Sequence, residues 1–349
     1  MVLGIETSCD ETAAAVVVDG RHVRSNVVSS QVRLHAKYGG IVPEIAARAH
    51  IEQIRPIVEE ALAQAKVGYQ DLSAVAVTVG PGLVGSLLIG VTAAKAISLA
   101  YDLPLVPVDH VEAHATGVAL VVDPPPWPAV ALVVSGGHTS LYLVRDFLDI
   151  ELLGQTVDDA AGEAFDKVAA MLELGYPGGP VIDRLAREGN PAAVRFPRPW
   201  IRKGHADFSF SGLKTAVLYR VYGPGRKYGS VAHLTRREVA DIAAGFQAAL
   251  VDTLVAKTVS VARRTGVADV AVGGGVAANS ALRAALQQAC RRSGLRLHLT
   301  PLECCTDNAA MVAALGYHRL RAGLVGDLWL EPRSGLVRPE RAKYHAADA

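Results

Sequence analysis

Asp109-His110-Val111-Glu112-Ala113-His114 follows the apolar run Leu105 to Val108 and sets two imidazoles four residues apart. In a helix that begins near His110, residues i and i+4 share a face one turn apart, so both rings can grip a single ion. With eleven histidines in the chain, two ordinary polar residues could also fall at this spacing. A second junction of the same kind raises the weight of the metal reading. Cys305-Thr306-Asp307-Asn308-Ala309-Ala310 follows the strand-like run Leu295 to Leu299 and opens a helix-like segment. Asp307 from that junction completes a set of two histidines and one carboxylate, which leaves coordination positions open for water or substrate. The zinc-peptidase pattern H-E-x-x-H is excluded by spacing: Glu112 stands two residues after His110, on another helix face.

Three turns have the composition of anion cradles: Gly80-Pro81-Gly82, Ser135-Gly136-Gly137-His138-Thr139 and Gly273-Gly274-Gly275. Glycine lets backbone N–H groups approach a phosphate with no Cβ between them, and a following helix adds its positive dipole end. Together with Gly175-Tyr176-Pro177-Gly178-Gly179-Pro180, they point to a nucleotide held between two lobes. Asp166 and Asp183 bracket that last turn and are candidates to accept from ribose hydroxyls, or are surface carboxylates. No stretch matches G-x-x-x-x-G-K-[ST], which excludes the P-loop class.

The elements that must position these residues read as one architecture written twice. An apolar run into Gly4 to Ser8, strands at Ala13 to Val18 and Val23 to Val28, a helix at Pro43 to Ala65, a strand at Ala74 to Val79, a helix at Ser86 to Ala100 and a strand at Leu105 to Val108 lead to the histidine helix. Pro124-Pro125-Pro126-Trp127-Pro128 is a stiff break that cannot continue a helix. The series restarts with strands at Ala129 to Val134, Ser140 to Val144 and Ile150 to Gln155 and a helix over Asp158 to Leu174. It ends with a helix over Arg237 to Arg264, a strand at Ala268 to Val272, a helix at Ala277 to Cys290, a strand at Leu295 to Leu299 and the Asp307 helix. The expected domains are therefore 1–123 and 129–330, with a tail at 331–349. In that alignment His110 and Asp307 fall at corresponding junctions, so a metal bridging the two halves is expected.

At 349 residues the chain is long enough for two domains, and with 50% hydrophobic but only 5% aromatic residues its core must be Ala, Val and Leu packed as helices and strands. The class is α/β. The N-terminus lacks the pattern of a signal peptide, and no apolar run reaches bilayer-crossing length, so a cytoplasmic protein is expected. Cys9, Cys290, Cys304 and Cys305 form no C-x-x-C pair, which fits reduced, non-catalytic thiols. Charge is uneven: Arg187 to Glu238 holds eleven Lys or Arg against three acids, 11 − 3 = +8, within a chain whose total is +1. Trp200, Phe196, Phe208, Phe210, Tyr219, Tyr222 and Tyr228 are interleaved there, a nucleic-acid footprint or a solvated insert.

Several motifs together carry a family resemblance over residues 4 to about 320: Gly4 to Thr12, His35 with Tyr38-Gly39-Gly40, Asp109 to His114, Ser135 to Thr139 and Asp158 to Lys167. Tyr176 to Pro180, Phe208 to Lys214, Gly273 to Asn279 and Cys305 to Ala310 extend it. The chain resembles the bacterial tRNA adenosine threonylcarbamoyltransferases, once described as sialoglycoprotein endopeptidases. The resemblance implies an actin-like ATPase fold of two duplicated ribonuclease-H-like lobes with a central cleft. It also implies a metal, usually iron(II) with zinc(II) or magnesium(II) as alternatives, on His110, His114 and Asp307. Val134, Ser135, Gly136, Gly137, His138, Asp166, Gly179, Asp183 and Asn279 would line a threonylcarbamoyl-AMP substrate. The implied partners are tRNA, a paralogous actin-like subunit (TsaB type) and a small P-loop ATPase (TsaE type).

The implied reaction is acyl transfer from the mixed anhydride to the exocyclic amine of adenosine 37 in tRNAs that read codons beginning with adenine. That amine is a weak nucleophile, so orientation and proton removal matter, and Asp10 and Glu11 are the candidates for positioning or for a base. The alternatives are an ATPase or kinase of the same fold, which needs no such metal triad, and a non-catalytic scaffold paralogue, which would lack it. The stretch around Pro224-Gly225-Arg226-Lys227 and the tail after Gly335 match none of these motifs.

Overall fold

A computed structural model describes residues 1–199, 205–223, 225 and 227–335. The chain forms two compact units, one comprising Met1–His35, Ile41–Pro125 and the chain from Asp307 onward, the other Ala36–Gly40 and Pro126–Thr306. In the first, strands β1 (Val2–Glu6), β2 (Glu11–Val18), β3 (His22–Ser30), β4 (Ala74–Gly80) and β5 (Leu105–Asp109) lie in the order β3-β2-β1-β4-β5. The first three form an antiparallel meander, β4 is parallel to β1, and β5 is parallel to β4.

The second unit repeats this arrangement with β6 (Ala129–Val134), β7 (Thr139–Asp146), β8 (Asp149–Gln155), β9 (Asp269–Gly273) and β10 (Arg296–Leu299) in the order β8-β7-β6-β9-β10. The duplicated ribonuclease-H-like topology makes this an actin-like fold. Its inner strands β1 and β6 are buried along their whole length, because a strand covered on both faces reads as a continuous apolar run.

Helices α1 (Val32–His35), α2 (Pro43–Ala65), α3 (Val84–Tyr101) and α4 (His110–Thr116) belong to the first unit. The second contains α5 (Ala161–Met171), α6 (Gly178–Ala186), α7 (Ser211–Tyr222), α8 (Arg236–Thr265), α9 (Ser280–Ser293) and α10 (Leu302–Cys305). The long α8 opens on a capping box, Thr235 with Glu238, and closes at Gly266 in the left-handed region. Helix α5 starts at Ala161 rather than at Asp158, because the Asp158 carboxylate instead accepts the Phe210 and Ser211 amides at 2.7 and 3.2 Å, at the start of α7.

The expected second domain, 129–330, is corrected by the last helix. Helix α11 (Ala309–Arg321) packs on β1, β2, β4 and β5, and so belongs to the first unit. The contact is backbone-close: a Cβ on Gly4 would lie 2.3 Å from the Ala309 carbonyl, and one on Gly316 would lie 2.4 Å from Ala76 Cβ. The expectation that no segment reaches bilayer-crossing length also needs correction, since α3 and α8 both pass by length and composition. In α8, 67% of the apolar window is buried in the second core, where Phe246 meets Phe165 edge-on; α3 has only 28% buried.

Candidate functional site

Strand β5 delivers Asp109, whose carboxylate accepts the Val111 and Glu112 amides at 2.9 and 3.0 Å and so starts α4 at His110. His110 and His114 follow on one face, both buried, with ring centroids 4.7 Å apart. Asn308 caps α11 by accepting the Met311 amide at 3.1 Å, which places Asp307 one residue before the cap. An Asp307 carboxylate oxygen lies 3.0 Å from His114 Nε2 and 3.6 Å from His110 Nε2. One donor atom from each residue falls within 4.8 Å of the other two. All three belong to the first unit, so the expectation of a metal bridging the two halves is corrected: α11 carries Asp307 back to the first sheet.

Carboxylates crowd this corner. Glu6, at the end of β1 and fully buried, accepts the Ser8 amide at 2.5 Å and the Thr78 hydroxyl at 2.6 Å, and lies 2.9 Å from His110 Nδ1. Burial works against a charged His110, but the carboxylates of Glu6 and Asp307 outweigh it and push its pKa up to about 10. Burial also raises Asp10 above the ordinary carboxylate range and Glu11 well above it, and the Asp307 charge adds to both.

The turn carrying Asp10 and Glu11 is held by neighbours to which the motif reading gave no role. His50 pairs with the Thr12 hydroxyl at 2.8 Å and donates from Nε2 to the Cys9 carbonyl at 3.0 Å, and the Ser30 hydroxyl donates to Glu11 at 2.9 Å. Two imidazoles and a carboxylate, set among acids that burial disfavours as anions, match the donor set of a divalent ion bound through nitrogen and oxygen.

In the second unit the Ser135–His138 turn closes on itself, with the Ser135 amide donating to the His138 carbonyl at 2.8 Å. Its carbonyls at Ser135 and Gly136 accept the amides of Gly162 and Glu163 at 3.1 Å each. Gly136, Gly137 and Gly179 all face open space, where a Cβ would meet nothing within 4 Å. Asp166 accepts the Gly178 amide at 2.7 Å and Asp183 accepts the Ser280 hydroxyl at 2.8 Å, so both set the local backbone around α6 and α9. Asn279 caps α9 through the Leu282 amide at 3.0 Å and donates to Gln247 at 2.9 Å. Gly274 packs directly on Val134, whose carbonyl would lie 2.3 Å from a Cβ there. The turn Gly80-Pro81-Gly82 is not an open cradle: Gly82 is closed by the Ser8 carbonyl at 2.4 Å and Gly80 by the Arg333 carbonyl at 2.3 Å.

The basic stretch is less basic in place than in sequence. Arg187 pairs with Asp183, Lys214 with Asp159, Arg198 with Asp252 and Arg237 with Asp241, all acids from outside the stretch, and Arg236 pairs with Glu188. Phe196, Phe208 and Phe210 are core residues, while Tyr219 and Tyr228 are exposed. Trp200, Arg202, Lys203, Pro224 and Arg226, and the tail after Gly335, lie outside the described residues.

Against known proteins, the family model for TsaD, tRNA N6-adenosine threonylcarbamoyltransferase, matches residues 22–314. The chain belongs to that family. The tRNA N6-adenosine threonylcarbamoyltransferase of Anaeromyxobacter dehalogenans (strain 2CP-C) is 54% identical over 323 residues, 92% of this chain and 95% of that one. The one from Bacillus subtilis (strain 168) is 49% identical over 336 residues, 96% of this chain and 95% of that one. The crystal structure of T. kodakarensis HypF matches 92% of this chain with a TM-score of 0.63 at 17% identity, a likeness of fold alone, and this chain spans 48% of its length. Members of the threonylcarbamoyltransferase family are transferases that act on tRNA.

Proposed function

We propose that the chain transfers the threonylcarbamoyl group from threonylcarbamoyl-AMP to the N6 amine of adenosine 37 in tRNAs reading codons that begin with adenine. The family membership carries this reading, and the gathering of His110, His114 and Asp307 favours it over an ATPase or kinase of the same fold or a scaffold paralogue. Those three residues would hold one divalent ion, iron(II) in the first instance and zinc(II) or magnesium(II) otherwise. When bound, such an ion supplies Lewis-acid polarisation. Val134 to His138, Asp166, Gly179, Asp183 and Asn279 form the adenylate site, in which the open faces of Gly137 and Gly179 leave room for the ligand. Asp10 or Glu11, with a carboxyl raised by burial, takes the proton from N6 as the new C–N bond forms and the C–O bond to the phosphate breaks. AMP leaves with that oxygen.

Transfer of labelled threonylcarbamoyl from the adenylate to unmodified tRNA, in the presence of the partner proteins, tests the reading. Label must appear at adenosine 37, and its absence there overturns the assignment. Valine at Gly137 or Gly179 is expected to leave the fold unchanged, since no atom stands within 4 Å of either Cβ position, and to weaken binding of an AMP-containing analogue in calorimetry. Unchanged affinity would reduce both turns to scaffolding.

We further infer a cytoplasmic protein that works with a paralogous actin-like subunit and a small P-loop ATPase. The support for the first partner is the exposure of Val84, Leu88 and Leu99 (72% exposed) on α3, and of Ile51 on α2, which packs against α3. Glutamate at both Leu88 and Leu99 should weaken association by at least ~30-fold, the size of losing a hot spot worth about 2 kcal/mol, with the metal site intact. Co-elution of the double variant at wild-type affinity would move the interface elsewhere.

A further inference from the structure

We propose that Glu6 is a positioning residue for the metal: it accepts the Nδ1–H of His110, so that Nε2 is the nitrogen left to bind the ion. The proposal rests on the metal site set out under Proposed function. Three groups converge on the Glu6 carboxylate. One oxygen accepts the Ser8 amide; the other accepts the Thr78 hydroxyl and faces His110 Nδ1. A carboxylate only accepts, so the nitrogen that faces it carries hydrogen. The Ser8 hydroxyl, 3.2 Å from the same Nδ1, can accept a share of that N–H. The opposite nitrogen, Nε2, is the one that faces Asp307.

The arrangement is rigid. Glu6 has no exposed surface, its strand is paired with β2 on one side and β4 on the other, and Thr78 comes from that same β4. No solvent competes for the carboxylate, and the imidazole ring is aimed before any ion arrives. A histidine ligand whose second nitrogen is held by a carboxylate is oriented and made more basic, and losing such a partner typically lowers metal affinity roughly 10- to 100-fold.

The hydrogen-bond pattern also makes the most conservative substitution the most informative. In Glu6→Gln the Ser8 amide can only donate, so the glutamine oxygen must face it and the NH2 group turns toward Thr78 and His110. The Thr78 hydroxyl can rotate to accept. His110 can accept only by moving its proton to Nε2, where the ion needs the lone pair. Glu6→Ala removes the bias without reversing it.

The test is zinc affinity, corrected for protons released, for wild type, Glu6→Gln and Glu6→Ala, together with 15N shifts of His110 in the zinc-loaded wild type and circular dichroism to confirm folding. The expected order is a loss of about 100-fold for Gln and about 10-fold for Ala, with wild-type Nδ1 protonated and Nε2 bound to metal. Wild-type zinc affinity in the folded Gln variant, or metal on Nδ1, overturns the proposal and leaves the metal site standing. If wild type binds no zinc through His110, the metal site itself falls and this proposal with it. Should Glu6→Ala not fold, the Gln variant, which keeps the volume of Glu6, decides alone.

Discussion

Alanine at Asp307 should leave a folded protein that retains no metal after desalting and transfers threonylcarbamoyl at least roughly 100-fold more slowly, a loss no smaller than removal of an outer-sphere partner produces. The proposed site has three protein ligands, and Asp307 is the only anion among them, so its removal would take away both charge balance and geometry. It is also the cleanest ligand to remove. Asp307 keeps 16% of its side-chain surface exposed, whereas His110 is buried against Glu6. Alanine at His110 would strand a buried carboxylate, a change that costs on the order of 3–5 kcal/mol in its own right. That variant should lose metal too, with a loss of stability that Asp307→Ala does not share. Metal analysis of anaerobically purified protein checks both, and stoichiometric iron or zinc in the two variants would place the site elsewhere.

Valine at Gly4 should damage fold and site together. Its Cβ would stand 2.3 Å from the Ala309 carbonyl and 2.7 Å from the Ala313 amide, both backbone atoms of α11 that no side-chain rotation can clear. Overpacking of this kind costs about 1–3 kcal/mol or more, and here the relief must come from α11 lifting off β1. Because Asp307 stands two residues before the start of that helix, the same shift would withdraw a proposed metal ligand. The expected result is a lower denaturation midpoint together with weaker zinc binding. Alanine at Gly212, where nothing lies within 4 Å, should change neither. A Gly4→Val protein with wild-type stability would mean that the helix packs on the sheet less closely than described.

Local pattern carried most of the architecture. The helix Pro43–Ala65 and the strand Ala129–Val134 have the ends that their flanking residues indicate, and His110 and His114 share a face because spacing in a helix requires it. What escaped was set by contacts distant in sequence. Helix α7 hides in the basic stretch, although Leu213, Val217 and Val221 recur every four residues and are buried. Helix α6 hides behind a Gly-Gly-Pro start that reads as a turn. The charge count of Arg187 to Glu238 could not include Asp159, Asp183, Asp241 and Asp252, which reach it from elsewhere in the chain. Nothing in the sequence neighbours of Glu6 signals a histidine 104 residues later. Placing α11 in the second half followed chain order, and only the bare Gly4 and Gly316 hint at a helix pressed against the first sheet.

The long return of α11 would put the proposed metal site under the control of synthesis. His110 and His114 leave the ribosome early, on a sheet whose five strands are all made by Asp109, but the carboxylate that completes the triad follows His114 by 193 residues. At that stage of translation the first unit would have every strand of its sheet and both histidines but not the third proposed ligand, with Pro126–Thr306 still to be made. A prematurely terminated chain would therefore carry two of the three proposed ligands. Loading of the proposed metal would then report that α11 has arrived and docked.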